Sequence, residues 1–298
     1  MKASVSCAPC IVRRSLQKVC LATSDEAMRV EFMRRALLYL SEWLSEGSVP
    51  SFYTIRENKI LFEVTGNNDP YADKKRKVIA HARKCLPHFR TFVTGGRSAK
   101  DRLMRALKVS ICGNRIEVSA PQHKVDITSL EREIKGCMRR GLAVDDTEMI
   151  FRAVKSSRTI AFICDNCGEA VLDTLFLNEL KAYAEVFIAV STDPIEDDVS
   201  LKEAAAIGLD RYGTVVGRGG AAQGVNREEN SDEFWGLLGK ADLIIAKGMS
   251  CYETLTEYPE ISGGKTAFLF TVKCNTVSQS IGRDLGGNIA WFVKGGRR

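Results

Sequence analysis

The residues with the most potential for chemistry lie in one short stretch, where an apolar run ends in side chains that can bind a hard cation. The run covers residues 160–163, and Asp165 and Asn166 follow it after one cysteine. Carboxylate and amide oxygens are the ligands that Mg²⁺ and Mn²⁺ prefer in proteins. Glu169 then begins an amphipathic pattern, and a helix N-terminus offers free N–H groups to an anion. The pattern predicts that a divalent metal and a phosphate meet at this turn.

Two other interpretations of the same turn stay open. Asp and Asn are favoured helix N-caps, so either residue could serve only to begin the helix. Cys164 and Cys167 flank the pair as C-x-x-C, a spacing that thiol redox proteins place at the N-terminus of a helix. Because the intervening carboxylate disfavours a neighbouring thiolate, the sequence favours metal binding over redox chemistry.

An acidic segment follows a second apolar run. Asp193, Glu196, Asp197 and Asp198 come directly after the run at 186–190. Four carboxylates next to a strand end could complete a hard-metal site. They could equally form a solvated turn that caps the next helix.

Two lysines also follow apolar runs. Lys247 and Gly248 end the run at 241–246, and an ammonium group there suits phosphate oxygens, although most lysines at strand ends are only solvated. Lys273 directly follows the run at 267–272. Its simplest interpretation is an ordinary polar strand end.

Ten cysteines are dispersed along the chain. Several lie in apolar runs, which is typical of buried thiols in a reducing compartment rather than of a disulfide framework. Cys7 and Cys10 form an isolated C-x-x-C pair, whereas structural zinc takes four ligands. The pair is interpreted as plain thiols or a redox pair, with zinc binding as the weaker alternative.

The composition is that of an ordinary globular protein. Of the 298 residues, 45% are hydrophobic and 27% are charged, and the formal net charge is +6. The basic residues are scattered apart from one run at 74–77, so we expect no nucleic-acid partner. No apolar run approaches the ~20 residues of a membrane span, and the first residues contain no apolar signal core. We therefore expect a cytoplasmic protein without a membrane partner.

The apolar pattern changes near the middle of the chain. Residues 1–150 have helical periodicity and form a predicted helical subdomain. We expect helices at 26–46, 51–66, 71–85, 101–112 and 126–138. In residues 151–298, helical stretches alternate with apolar runs at 159–164, 186–190, 214–216, 241–246, 267–272 and 289–293. This alternation predicts an α/β domain with a parallel sheet covered on both faces.

Several of these segments resemble those of a known family. CDNCGE, PIEDDVSLKEA, ADLIIAKGMSCYETL and FTVKCNTVS are similar to motifs of the metal-dependent damage-control phosphatases. This family was first catalogued as domain of unknown function 89, and the likeness is to its archaeal branch. The resemblance extends to the N-terminal C-x-x-C, to NDPY at 68–71 and to ICGNRIEVS at 111–119. It therefore covers nearly the whole chain, with the motifs in the same order.

The resemblance implies a Rossmann-like, mostly parallel sheet preceded by a helical segment, with a divalent metal at the strand ends. It also implies hydrolysis of phosphate esters of small molecules, including sugar phosphates and damaged phosphometabolites. The family's metal ligands correspond to Asp165, Asn166 and Asp198. Its substrate-side asparagine corresponds to Asn114 and its phosphate-binding lysine to Lys247.

The chain departs from the family pattern in three motifs. The usual Gly-Pro-x-x-Asn-Asp is DPIEDD at 193–198, Lys-Gly-x-Gly-Asn-Phe/Tyr-Glu is KGMSCYE at 247–253, and Gly-Asn-x-x-Asp is GNRIE at 113–117. The metal ligands are kept, whereas residues expected to face the substrate differ. Glu253, the last residue of the second motif, has no role that the sequence assigns.

Residues and resemblance together predict a metal-dependent phosphatase. Its cofactor would be Mg²⁺, Mn²⁺, Co²⁺ or Ni²⁺, and its substrate a small phosphorylated metabolite. Lys247, Gly248 and the helix N-terminus at Gly168 and Glu169 would bind the phosphate oxygens. The nucleophile is either metal-bound water or a carboxylate, with Asp198 and Asp197 as the candidates. Two alternatives stay open, a binding protein without turnover and a thiol redox protein.

Overall fold

A computed structural model shows an α/β protein organised around one seven-stranded sheet; it describes residues 1–117, 119 and 129–293. The strands are β1 (Val144–Asp145), β2 (Thr159–Ile163), β3 (Glu185–Val190), β4 (Thr214–Gly217), β5 (Leu243–Lys247), β6 (Thr266–Thr271) and β7 (Asn288–Phe292). Their order across the sheet is β1-β7-β6-β5-β2-β3-β4. Neighbouring strands are parallel except β6 and β7, which pair antiparallel.

Helices precede the sheet and then alternate with its strands. Before β1 lie α1 (Cys7–Ala22), α2 (Glu26–Trp43), α3 (Pro50–Thr65), α4 (Ala72–Thr94), α5 (Ala99–Gly113) and α6 (Leu130–Arg140). After β1 lie α7 (Thr147–Ser156), α8 (Cys167–Leu180), α9 (Leu201–Ile207), α10 (Asp232–Lys240), α11 (Gly248–Leu255), α12 (Pro259–Ser262) and α13 (Asn275–Ile281). The predicted fold class, a mostly parallel α/β sheet preceded by a helical segment, is confirmed.

The central strands are apolar throughout because both of their faces are covered. In β2, Ile160 and Phe162 belong to an apolar cluster shared with α4, α5 and α8. Ala161 and Ile163 belong to a second cluster, shared with α10, α11 and α13. Since successive strand residues point to opposite faces, an alternating pattern would leave one face polar. The uninterrupted apolar runs in the sequence therefore reflect a sheet between two helical layers.

The expected end of the third predicted helix at residue 85, just before Pro87, is wrong. Helix α4 continues through Pro87 to Thr94. Proline removes one backbone hydrogen bond and costs about 3 kcal/mol inside a helix. Buried residues lie on both sides of it, with Ala82 before and Phe89 after, so packing of the apolar face outweighs that cost. Helix α1 was not delineated from the sequence because its buried face includes the polar residues Ser15 and Lys18.

The division of the chain at residue 150 stays a prediction. Helices α4 and α5 pack against α8, and β1 pairs with β7, so the first half is in close contact with the sheet. Of the helix expected at 126–138, residues 126–128 lie outside the described part, and α6 begins at Leu130. Within the described residues, none of the helices combines the length and apolar character needed to span a membrane.

Candidate functional site

Two turns at the carboxyl edge of the sheet are joined by backbone hydrogen bonds. One turn leads from β2 into α8 and the other from β3 into α9. The backbone N–H of Val199 donates to Asp165 at 2.9 Å, and that of Cys167 donates to Asp197 at 2.9 Å. Asn166 and Asp198 form a β-bridge between the turns. The structure thus brings together the three residues predicted to be metal ligands, Asp165, Asn166 and Asp198.

The carboxyl groups of this cluster repel one another in a buried environment. Burial raises the pKa of Asp165 well above its ordinary value, and the neighbouring Glu169 and Asp198 raise it further. Burial likewise raises the pKa of Asp198, while Arg218, whose Nη2 lies 3.8 Å from its Oδ2, opposes the shift. Like charges held this close favour protonation unless a cation is bound between them.

The donor set suits a hard divalent cation. Asn166 donates its Nδ2 to Asp165 Oδ2 at 2.7 Å, which leaves its Oδ1 as the atom that could ligate a metal. In the described ranges, no three His, Cys, Asp or Glu side chains are grouped so that they alone could hold a metal ion. The set therefore depends on the amide oxygen of Asn166 beside the carboxylates of Asp165 and Asp198.

Asn114 positions the carboxylate of Asp165 rather than facing open space. From the end of α5, its Nδ2 donates to Asp165 Oδ2 at 2.8 Å and to Glu169 Oε2 at 2.7 Å. Its Oδ1 accepts the N–H of Thr271 at 3.0 Å. Asn114 and Glu169 are fully buried and lie behind the β2–α8 turn.

Lys247 lies beneath the site. The sequence analysis had placed it at the carboxyl edge of the sheet, where it would meet phosphate oxygens. Its Nζ lies 2.6 Å from Glu169 Oε1 and 2.7 Å from Asp173 Oδ1, and it donates to Ser110 Oγ at 2.6 Å. Burial lowers the pKa of Lys247, but Asp173 and Glu169 outweigh it and hold the pKa above the ordinary lysine value. The ammonium group is therefore charged and fully occupied by protein groups.

A cavity of about 150 Å³ adjoins the two turns. Helices α1 and α3 form its roof, and the start of α11 together with residues 273–276 forms its floor. Asp165, Asn166 and Asp198 line it, whereas Asn114, Glu169, Lys247 and Gly248 do not.

Among the described residues, the cations that line the cavity are Arg14 and Lys273. Lys273 Nζ lies 2.5 Å from Glu117 Oε2. Burial lowers the pKa of Lys273, but Glu117, Asp165 and Glu169 together raise it above the ordinary lysine value. Lys273 could have been identified as a residue of the cavity from its position just after β6. No local pattern identifies Arg14 of α1 as one.

Helix N-termini other than the expected Gly168 and Glu169 line the cavity. At the start of α8, a Cβ on Gly168 would meet the side chains of Ile116 and Val78, so this turn is packed against apolar groups. Met249 and Ser250, in the first turn of α11, line the cavity instead. Ser51 at the start of α3 and Thr276 at the start of α13 line it as well, so N–H groups of α3, α11 and α13 could reach an anion.

A buried ion-pair network fastens the roof to the acidic turn. Glu196 pairs with Arg14 and, at 2.9 Å, with Lys18, and Lys18 also pairs with Glu57 of α3 at 2.5 Å. Burial raises the pKa of Glu196, but Arg14 and Lys18 outweigh it and lower the pKa to about 2. Glu196 has a φ of 43°, a left-handed conformation uncommon for residues other than glycine.

The cysteines that flank Asp165 and Asn166 are poorly suited to redox chemistry. All ten cysteines are free thiols. Burial raises the pKa of Cys164 and of Cys167 well above the ordinary thiol value, so neither supplies a thiolate readily. Cys7 and Cys10 line the cavity from α1.

Gly248 is required where α11 begins. Its φ is +79°, and a Cβ there would overlap the carboxylate of Asp165.

We expect Gly248→Ala to destabilise the fold by about 1–3 kcal/mol through its backbone conformation alone. Displacing Asp165 should also lower activity on the order of 10- to 100-fold. Urea unfolding and phosphatase assays test this, with Gly236→Ala as the matched control because its Cβ would enter open space. Wild-type activity and stability in Gly248→Ala would contradict the assignment.

Comparison with known proteins identifies the family. The family model of the damage-control phosphatase ARMT1-like domain matches residues 3–289. The chain belongs to this family. The resemblance to damage-control phosphatases found in the sequence is thereby confirmed.

Relatives match over nearly the full length of the chain. A damage-control phosphatase of Archaeoglobus fulgidus is 32% identical over 296 residues, covering 99% of this chain and 100% of the relative. A damage-control phosphatase of Pyrococcus horikoshii is 30% identical over 283 residues, covering 94% of each chain. The crystal structure of a DUF89 family protein from Pyrococcus horikoshii superposes with a TM-score of 0.85 at 29% identity, covering 99% of this chain and 100% of that one.

Proposed function

We propose that this chain is a metal-dependent phosphatase that hydrolyses small phosphomonoesters. The observation that carries the proposal is the cluster of buried carboxyl groups at Asp165 and Asp198, which lines a cavity that also contains two cationic side chains. Membership of the damage-control phosphatase family supports it. The names of the two archaeal relatives point to the same activity.

The metal would be held by Asp165, Asn166 and Asp198, and Mg²⁺, Mn²⁺, Co²⁺ or Ni²⁺ are all compatible with oxygen ligands. When bound, such an ion supplies charge stabilisation to a phosphoryl group. Asn114 fixes one oxygen of Asp165 by a hydrogen bond of 2.8 Å, so the carboxylate is oriented before the cation arrives.

The phosphate would be bound by groups different from those expected at first. Lys273 and Arg14 line the cavity and carry the positive charge, and the N–H groups at the start of α11 can donate hydrogen bonds to phosphate oxygens. Lys247 takes the role of a positioning residue, because it holds Glu169 at 2.6 Å and Glu169 in turn holds Asn114.

The cavity limits the size of the substrate. A cavity of about 150 Å³ is comparable in size to one that holds benzene. The phosphate group fills much of this space, so the enclosed part of the alcohol is short. The proposed substrates are therefore phosphorylated small metabolites and exclude polymers.

The test is hydrolysis of p-nitrophenyl phosphate and a panel of short phosphate esters after treatment with EDTA and readdition of each metal. We expect no turnover in EDTA and restored turnover with at least one of the four ions. Each active ion should also raise the melting temperature, because it binds the folded state. A folded protein that binds metal but hydrolyses no ester would overturn the proposal and favour a binding protein.

A further inference from the structure

Two buried cysteines outside the cavity contact each other. Cys112 of α5 and Cys137 of α6 are 2% and 0% exposed, and their thiols form a hydrogen bond. Cys137 Sγ also donates to Asn288 Oδ1 at 3.1 Å. Because the single thiol hydrogen of Cys137 is directed at Asn288, the hydrogen between the two sulfur atoms comes from Cys112. The proposed phosphatase reaction uses neither thiol.

The surroundings of the pair favour the thiolate form of Cys137. The hydrogen bond from Cys112 and the nearby guanidinium groups of Arg115 and Arg140 outweigh burial and lower the pKa of Cys137 from the ordinary thiol value. The same hydrogen bond, together with burial, raises the pKa of Cys112. Since the thiolate is the nucleophile in thiol chemistry, Cys137 is the attacking sulfur and Cys112 the sulfur that can close a disulfide.

A groove of about 700 Å³ leads toward the pair. Arg140, Gly141 and Asn288 line this groove. The Nδ2 of Asn288 donates to the carbonyl oxygens of Cys137 at 3.2 Å and of Gly141 at 2.8 Å, so the lining of the groove is bonded directly to the segment that carries Cys137. Because the sulfur atom itself is fully buried, a small oxidant such as hydrogen peroxide can reach it during local opening, whereas a bulky disulfide reagent cannot.

We infer that Cys112 and Cys137 form a peroxide-sensitive modification site that oxidises to a disulfide between α5 and α6. The Cys137 thiolate attacks one oxygen of hydrogen peroxide, the O–O bond breaks, and the hydroxide that leaves takes up a proton to become water. The Cys112 thiol then attacks the sulfur of the resulting sulfenic acid, the S–O bond breaks, and a second water leaves as the S–S bond forms. The two thiols lose two electrons, and the peroxide gains them.

The disulfide would act on the candidate site through the end of α5. Asn114, which hydrogen-bonds Asp165 at 2.8 Å, is two residues after Cys112. The carbonyl oxygen of Cys112 accepts the N–H of Arg115 at 3.2 Å, within the same turn. An S–S bond of about 2.05 Å is shorter than a hydrogen bond between two thiols, so its formation draws Cys112 toward α6. Oxidation should therefore displace Asn114 and slow hydrolysis, and this consequence alone rests on the proposed phosphatase function.

The experiment treats the reduced protein with hydrogen peroxide and maps disulfides by peptide mass spectrometry. We expect a linked pair of peptides containing Cys112 and Cys137, which dithiothreitol separates. In Cys112→Ala, dimedone should label Cys137, because its sulfenic acid has no resolving thiol, whereas Cys137→Ala should leave Cys112 unlabelled. Cys20→Ser, which removes an exposed thiol, is the matched control and should form the same disulfide. Turnover of p-nitrophenyl phosphate should fall about tenfold on disulfide formation and return with dithiothreitol.

Other outcomes overturn the inference. Reduced Cys112 and Cys137 in folded, peroxide-treated protein would show that the pair only fills the core. Dimedone labelling of Cys112 instead of Cys137 would refute the assigned roles. A disulfide that leaves turnover unchanged would refute the coupling to Asn114. Should the reduced protein hydrolyse no ester, the phosphatase proposal fails, whereas disulfide mapping still decides whether the thiol pair is a modification site.

Discussion

Asp165→Ala is expected to abolish metal-dependent hydrolysis while the protein stays folded. The side chain supplies a proposed metal ligand at the point where two turns meet. We expect turnover to fall by at least about a thousandfold, which corresponds to about 4 kcal/mol of activation free energy. The stability in EDTA should be unchanged or higher, because repulsion by Glu169 and Asp198 is relieved.

The measurement combines p-nitrophenyl phosphate hydrolysis with melting curves recorded in EDTA and in Mn²⁺. The wild type should show a metal-induced rise in melting temperature that Asp165→Ala lacks. Asp165→Asn, which preserves shape, guards against a packing effect, and Asp232→Ala removes a carboxylate that is 98% exposed. Full activity in both Asp165 variants would refute the metal-ligand assignment.

Lys247→Met is expected to act mainly on stability. Removing the ammonium group leaves the carboxylates of Glu169 and Asp173 buried without their cation, and losing one partner of a buried ion pair costs about 3–5 kcal/mol. The free energy of unfolding in urea should fall by that amount. Activity should fall as well, since Glu169 no longer holds Asn114 in place.

A rescue variant separates this role from phosphate binding. The triple change Lys247→Met, Glu169→Gln and Asp173→Asn removes the whole buried charge set, so most of the lost stability should return. If Lys247 instead contacted the phosphate, Lys247→Met would keep wild-type stability and raise KM alone. That result would restore the role that the family resemblance implies.

Much of the sheet, and of its carboxyl edge where the candidate site lies, could be predicted from the sequence. The apolar runs of β2, β3, β5 and β6 are short and bounded by polar residues, so their positions and burial on both faces follow from local pattern. Side chains after parallel strands meet at one edge, which is why Asp165 and Asp198 were placed together correctly.

The position of Lys247 depends on the residue at which strand β5 ends. The strand was expected to stop at residue 246, which left Lys247 on a turn at the rim. In the structure Lys247 is the last residue of β5, so it shares a face with Leu243 and Ile245 and points beneath α5 and α8. A shift of one residue in the strand end decides whether the ammonium group meets substrate or protein.

The contacts made by the roof of the cavity could not be predicted from local sequence patterns. Arg14 contacts Glu196, which is 182 residues away, and nothing in the pattern of α1 indicates this partner. Buried polar residues such as Lys18 also obscured the helix itself. Contacts of this range depend on tertiary packing, which periodicity does not encode.

The ion-pair network around Glu196 is the link between the acidic turn and a roof that has apolar clusters of its own. Helices α1 to α3 have their own small apolar clusters, apart from the two that flank the sheet. Opening of the roof would break the buried ion pairs of Glu196 and also the hydrogen bonds of Ser51 to Glu253 and of Ser4 to Thr276, so it would be a sub-global opening of substantial free energy. Such an opening would take Arg14 out of the cavity and admit solvent to the carboxylates. Entry of substrate, release of product and local stability of the first 65 residues are then governed by one equilibrium.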